Sequence, residues 1–179
     1  YMISGFVLVV IIEGLLSGTE LTPLNIAIEQ VVAHIRTPFL TTFMVFVTRL
    51  GNPAMIISIA ALIIVLLMIR GRSYDAALFA ITMTVAIVSL TILKNTFQIA
   101  RPSSLLIDTN GWSFPSGHTT MATTFFFMLV YSFLNRMKTV KGKTVLILGS
   151  ILAAVLIGLS RLYLGAHWAL DVLGGLALG

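Results

Sequence analysis

The chain contains no cysteine. That absence excludes disulfides, thiolate nucleophiles and cysteine-ligated metals. Charge is scarce too: Asp, Glu, Lys and Arg make up 9% of the 179 residues, with six carboxylates against eleven cationic side chains. Prolines number five, and no Pro-, Gly- or Ser-rich linker divides the sequence. One integral-membrane domain over residues 1–179 is therefore expected. Apolar residues fill the remainder, 58% of the chain, with a mean hydropathy of +1.06. Soluble domains hold roughly 45–50% apolar residues, so the composition is that of an all-α polytopic membrane protein. In that setting the net charge of +5 belongs to inter-span loops and topology, not to a nucleic-acid partner.

Six apolar stretches are expected to span the bilayer: Met2–Leu16, Pro53–Ile69, Ala76–Leu93, Ser116–Leu134, Thr144–Leu159 and one opening near Ala166. The first lacks a basic leader and a cleavage signal, so it reads as a span and not as a secretory signal. The last has only eight residues after Asp171, against about 20 for a full span, and is expected to be cut short. Between the first two stretches, Thr22-Pro23, Thr37-Pro38 and Asn52-Pro53 each pair a capping side chain with proline, the pattern of a helix start. Leu24, Ile28, Val31, Val32 and Ile35 recur at helical spacing, as do Phe39, Phe43, Phe46, Val47 and Leu50. Two short amphipathic helices lying at one membrane surface are expected there.

Arg70, Arg72, Arg136, Lys138, Lys141 and Lys143 fall in two loops that alternation of the spans places on one side. The positive-inside rule makes that side cytoplasmic. The opposite, extracytoplasmic face then receives Lys94 to His118 and Ser160 to His167, which can meet in space. Charges at membrane level are costly unless paired or used. Three cations and two histidines together there point to a site for a phosphate-like anion.

Each part has its own logic. Lys94 closes the third stretch, and Arg101 follows in a loop stiffened by Pro102. Ser116 caps the fourth stretch, Gly117 leaves its backbone open to close approach, and a helix start is a ready anion site. His118 stands at that opening. His167 and Asp171 are four residues apart and share a helix face. A carboxylate there fixes one ring proton and leaves the other imidazole nitrogen free to attack. Arg161 offers a planar fork to phosphate oxygens. These are the parts for phosphoryl transfer without a metal, in which cations hold the non-bridging oxygens, one histidine attacks and the other protonates the leaving alkoxide.

Lys94–Arg101-Pro102, Pro115-Ser116-Gly117-His118 and Ser160-Arg161–His167–Asp171 resemble, in order and spacing, the three signature motifs of the type-two phosphatidic acid phosphatases, and all eleven signature positions match. The resemblance implies His167 as nucleophile, Asp171 as its orienting partner and His118 as general acid. It implies a phosphate pocket of Lys94, Arg101, Ser116, Gly117 and Arg161. It also implies a bacterial membrane enzyme that needs no metal or other cofactor and takes a lipid phosphate from the bilayer: phosphatidylglycerophosphate, phosphatidate or undecaprenyl pyrophosphate. Related chemistries remain open at this stage: a phosphotransferase using the same pocket, a non-catalytic binder of phospholipid headgroups, or a vanadate-dependent haloperoxidase, which the apolar composition disfavours. His34, Asp108 and Glu13 read as surface or interfacial residues. Trp112, Phe114 and Trp168 read as an outer aromatic belt that can also line a lipid entrance. Residues 103–113 and 18–51 are expected to govern substrate choice.

Overall fold

The computed structural model describes residues 2–17 and 21–179, so Tyr1 and Gly18, at the ends of segments named above, lie outside the described residues. Eight α-helices and no strand occur among the described residues: α1 Met2–Ser17, α2 Leu21–His34, α3 Pro38–Leu50, α4 Pro53–Ile69, α5 Ser73–Phe97, α6 Gly117–Phe133, α7 Val140–Tyr163 and α8 Ala169–Leu178. A single 3-10 turn, Leu134–Arg136, follows α6.

Two of the three proline signals mark helix starts as read. Thr37 Oγ1 accepts from Leu40 N–H and Asn52 Oδ1 from Ala54 N–H, each with proline in the first helical turn. Helix α2 begins at Leu21, which puts Pro23 inside its first turn; the Thr22 side chain lies outside the described residues. Thr139 caps α7 by accepting from Gly142 N–H, so this helix starts at Val140, four residues ahead of the expected Thr144.

Length separates the helices. Helices α5, with 25 residues, and α7, with 24, are long and apolar enough to cross a membrane unaided. Helices α3 and α4 pass the same test as a pair bent by 42° at Gly51-Asn52. By contrast α1, α4, α6 and α8 have 16, 17, 17 and 10 residues, short of the roughly 20 that cross about 30 Å. Helix length and composition thus give two or three of the six expected spans, and the second expected span is continuous with the helix before it.

Helix α6 is the hub, packing against α4, α5, α7 and α8. Phe79, Met83 and Ala86 of α5 meet Met121, Phe125 and Met128 of α6 in a core that Ile56, Ala60 and Leu67 of α4 and Ile157 of α7 complete. Phe79 stands edge-on to Phe125, ring centroids 6.0 Å apart. The outward faces remain apolar: Leu62 and Val65, Ile81 and Val85, and Leu148 and Leu152 are all exposed, a surface suited to lipid and not to water.

The bundle has two ends. At one, the α4–α5 and α6–α7 turns touch: Arg72 Nη2 donates to the Ser132 carbonyl at 2.5 Å, and its guanidinium lies 5.2 Å from the Phe133 ring centroid. The two basic loops therefore share a side, as alternation requires. At the other end the 98–116 loop closes over the start of α6, the end of α7 and the start of α8. Close backbone approach makes this junction possible. A Cβ on Gly175 of α8 would stand 2.9 Å from Thr119 Cβ and 3.0 Å from the Ser116 carbonyl oxygen. Gly165, at φ +66, turns the chain from α7 toward α8 where a Cβ would strike the Ser104 carbonyl.

Candidate active site

Helix α8 carries Asp171 in its first turn, and His167 sits one turn earlier in the α7–α8 connection. Both are nearly sealed, at 1% and 4% exposure. His167 Nδ1 lies 3.3 Å from Asp171 Oδ2. The same oxygen accepts from Trp168 N–H at 2.8 Å and from the Ser113 hydroxyl, whose oxygen is 3.3 Å from His167 Nδ1. On the far side of the ring, Arg101 Nη1 stands 3.2 Å from Nε2. A guanidinium can only donate, so Nε2 is the acceptor and Nδ1 carries the proton. The ring is thereby fixed in the tautomer that leaves a lone pair at Nε2. His167 lies outside the long helices, and burial pushes its pKa down to about 4 against the pull of Asp171. The imidazole is accordingly neutral at physiological pH.

Arg101 is aimed by carbonyls. It donates to Gly111 at 3.0 Å, Asn110 at 3.0 Å, Trp112 at 3.3 Å and Ala166 at 2.6 Å. One side chain thus folds the loop over the site with Nε and Nη2 and sets Nη1 against Nε2. Lys94, in the last turn of α5, reaches the same loop, with Nζ 2.5 Å from the Trp112 carbonyl and 3.3 Å from that of Ser113. Arg161, in the last turn of α7, is 2% exposed. Its Nη1 donates to Thr48 Oγ1 at 2.7 Å, and its buried Nε has no acceptor among the described residues. An orphaned guanidinium N–H is costly, and a phosphate oxygen is a fitting acceptor for it.

Ser116 is fully buried at the start of α6. Its N–H donates to the Asp171 carbonyl at 2.9 Å, and its hydroxyl accepts from Thr119 at 3.0 Å. No side chain caps this helix, whose first bond runs from Thr120 N–H to the Ser116 carbonyl. The N–H groups of Gly117, His118 and Thr119 therefore have no acceptor within the helix and form a positive terminus suited to an anion. A Cβ on Gly117 would meet only Leu90 Cδ2, at 3.5 Å, so this glycine leaves space at the terminus. Three cations against one carboxylate leave a formal +2, the complement of a phosphate monoester dianion.

Every residue assigned from the sequence is found at this one end. Three others carry weight there. Ser113, read above only as part of a specificity loop, is fully buried and bridges Asp171 and His167. Thr48 of α3 holds Arg161. Arg36 donates to the Tyr163 carbonyl at 3.0 Å and the Ser104 carbonyl at 3.1 Å, tying the α2–α3 corner to the loop, while the Tyr163 hydroxyl takes Thr37 N–H at 2.9 Å. Two assignments are corrected. Ser116 holds the N-cap position of α6, but its hydroxyl accepts from Thr119 Oγ1 and caps no helix N–H. Phe114 is fully buried, edge-on to Phe97 at 5.5 Å and against Gly174, so it is core and not interface. Trp112 is 40% exposed, as a belt residue would be; Trp168 is half-buried, its Nε1–H donating to the Ala100 carbonyl. His34, Asp108 and Glu13 are exposed.

Phosphatidylglycerophosphatase B of Bacillus subtilis (strain 168) is 27% identical over 180 residues, spanning 99% of this chain and 88% of the relative. Undecaprenyl-diphosphatase of Sulfolobus acidocaldarius is 28% identical over 181 residues, 97% and 82% of the two chains. The fold matches the crystal structure of a transmembrane PAP2-type phosphatidylglycerolphosphate phosphatase from Bacillus subtilis at a TM-score of 0.87, with 24% identity over 98% of this chain and 89% of that one. It matches Aquifex aeolicus LpxE at 0.67, with 27% identity over 87% and 89%. A sequence model of the PAP2 superfamily covers residues 75–179, more than half of the chain and all three clusters of site residues, and the chain belongs to that superfamily.

Proposed function

We propose that this protein is a metal-independent lipid phosphate phosphatase working through a phosphohistidine. The observation that carries the reading is the held imidazole: Nδ1 faces Asp171 and Ser113, and Nε2 faces Arg101, where a phosphoryl group would lie. His167 Nε2 attacks phosphorus, the Nε2–P bond forms and the P–O bond to the lipid breaks. His118 gives its proton to the leaving oxygen. Water then attacks phosphorus, His118 takes the water's proton, and the Nε2–P bond breaks to release phosphate. Lys94, Arg101, Arg161 and the N–H groups at Gly117 hold the three non-bridging oxygens throughout, spreading the charge that a divalent metal would otherwise meet.

The names of the relatives support a substrate with a terminal phosphate on a membrane lipid, either a phosphomonoester such as phosphatidylglycerophosphate or phosphatidate, or a pyrophosphate such as undecaprenyl pyrophosphate. The basic turns at the opposite end support an extracytoplasmic site in a multi-pass cell-membrane protein. Helices α2 and α3, beside the site, are then the interfacial pair, with α3 passing through its 42° bend into α4, and the remaining six helices provide the spans.

Phosphate release from a panel of these lipids, measured in excess chelator, tests the reading. Release with full retention of activity is expected; loss on chelation that added metal restores contradicts it. The same assay carries a pH signature. Protonation of Nε2 abolishes attack, so the nucleophile is competent above its folded pKa and lost below it. The acidic limb of kcat/KM, which reports the free enzyme, is expected near 4 and not near the 6.5 of an ordinary histidine.

A further inference from the structure

At the end of the bundle away from His167 there is a cleft of about 700 Å³. Its floor is one face of α4: Ile63, Leu66, Leu67 and Arg70 follow one another at helical spacing. Phe133, the last residue of α6, and Arg136, in the 3-10 turn that follows, form the facing wall, and Arg72 closes the top. The cleft is therefore amphiphilic along its length, about 6 Å of apolar floor from Ile63 to Leu67 at about 1.5 Å per residue, ending in three guanidinium groups.

The arginines differ in kind. Arg72 is fixed, paired with Asp75 at 2.7 Å, bonded to the Ser132 carbonyl and stacked on Phe133. It braces the cleft. Arg70 and Arg136 are exposed and form no ion pair among the described residues, Asp75 being already engaged by Arg72. Lys138, Lys141 and Lys143 follow in the same turn region, so the surrounding field is positive. Two free forks over an apolar groove match the phosphate and the first acyl carbons of one molecule.

We propose that this cleft binds the headgroup of an anionic phospholipid from the leaflet opposite the catalytic site. Arg70 and Arg136 hold the phosphate, and an acyl chain lies along the half-buried Ile63 and the exposed Leu66. The site is separate from the chemistry at His167 and stands whatever reaction occurs there.

The test uses the whole protein in neutral detergent, with short-chain phosphatidylglycerol, phosphatidylcholine of the same chains, and inorganic phosphate as probes. Wild-type protein is expected to retain phosphatidylglycerol in preference to phosphatidylcholine by native mass spectrometry. Binding should weaken about fivefold for Arg70→Gln or Arg136→Gln and about 25-fold for the double variant, following the usual contribution of a basic residue at an anionic surface. The double Lys variant should stay within a few-fold of wild type, which controls for folding. Phosphatase activity in lipid-free detergent should be unchanged by either. Undiminished phosphatidylglycerol binding in the double Gln variant, or equal binding of phosphatidylcholine, overturns the site. Inorganic phosphate binding as tightly as phosphatidylglycerol, with the same dependence on the two arginines, overturns the lipid as its occupant.

Discussion

Replacing His167 by alanine is expected to lower phosphate release about 10⁵-fold, the scale seen when a nucleophile is removed from a working catalytic group. Neither serine beside the site can take over. Ser113 is occupied between Asp171 and Nδ1, and Ser116 Oγ is buried against Thr119. Arg101 loses its contact with Nε2 but keeps its four carbonyl partners, and Lys94 and Arg161 do not contact the imidazole, so lipid binding should persist. The expected signature is a collapse of kcat with an apparent substrate Kd within a few-fold of wild type. Single-turnover release with purified variant, alongside a helical circular dichroism spectrum, checks both. Activity within tenfold of wild type would place the nucleophile elsewhere.

The second large effect belongs to Asp171→Asn, for which a fall in kcat of about 10⁴ is expected, as for a triad aspartate exchanged in place. Asp171 Oδ2 accepts from three donors, the Ser113 hydroxyl, His167 Nδ1–H and Trp168 N–H. All three meet this one oxygen, so an asparagine flipped to set its NH₂ there faces them with a donor in place of an acceptor. With that donor against His167, the proton moves to Nε2, where it meets Arg101 Nη1 donor to donor at 3.2 Å. The lone pair is then lost, and so is the negative charge that steadies a phosphoimidazolium. KM should change little, since no phosphate-holding group is altered. A ¹⁵N-histidine spectrum of the variant should show the proton moved from Nδ1 to Nε2. A variant with wild-type kcat would make the carboxylate a structural cap of α8 and nothing more.

The two sets of groups that these variants separate were unequally visible in the sequence. Lys94, Arg101, His118, Arg161, His167 and Asp171 stood out because ionisable side chains are rare in this chain and expensive at membrane depth. Their ordered spacing supplied the rest. Ser113 gave no such signal: a loop serine has no periodicity and no charge, and only the fold sets its hydroxyl against Asp171. Thr48 was hidden for the same reason, one hydroxyl on an amphipathic helix 113 residues from the arginine it holds. Phe114 misled because aromatic residues near a helix start serve equally as belt or as core, and the choice depends on Phe97 and Gly174, which sequence proximity does not reveal.

Fold legibility followed the same division. Local chemistry marked the starts of α3 and α4 through Thr37-Pro38 and Asn52-Pro53. It did not show that these helices are joined at a 42° bend, because the cap and proline that start a helix look alike at a free end and at a bend. The positive charge of the 70–72 and 136–143 turns located one shared end, and contact between Arg72 and the end of α6 bears that out.

All of the chemistry depends on Nε2 of His167 bonding to phosphorus. Rapid quench into alkali during turnover of a lipid labelled in its terminal phosphate, followed by peptide mapping, measures that directly. An alkali-stable, acid-labile label on the peptide bearing His167, appearing and decaying within one turnover, is the predicted result. Unlabelled protein at every quench time while phosphate accumulates, or a label on His118, would contradict it.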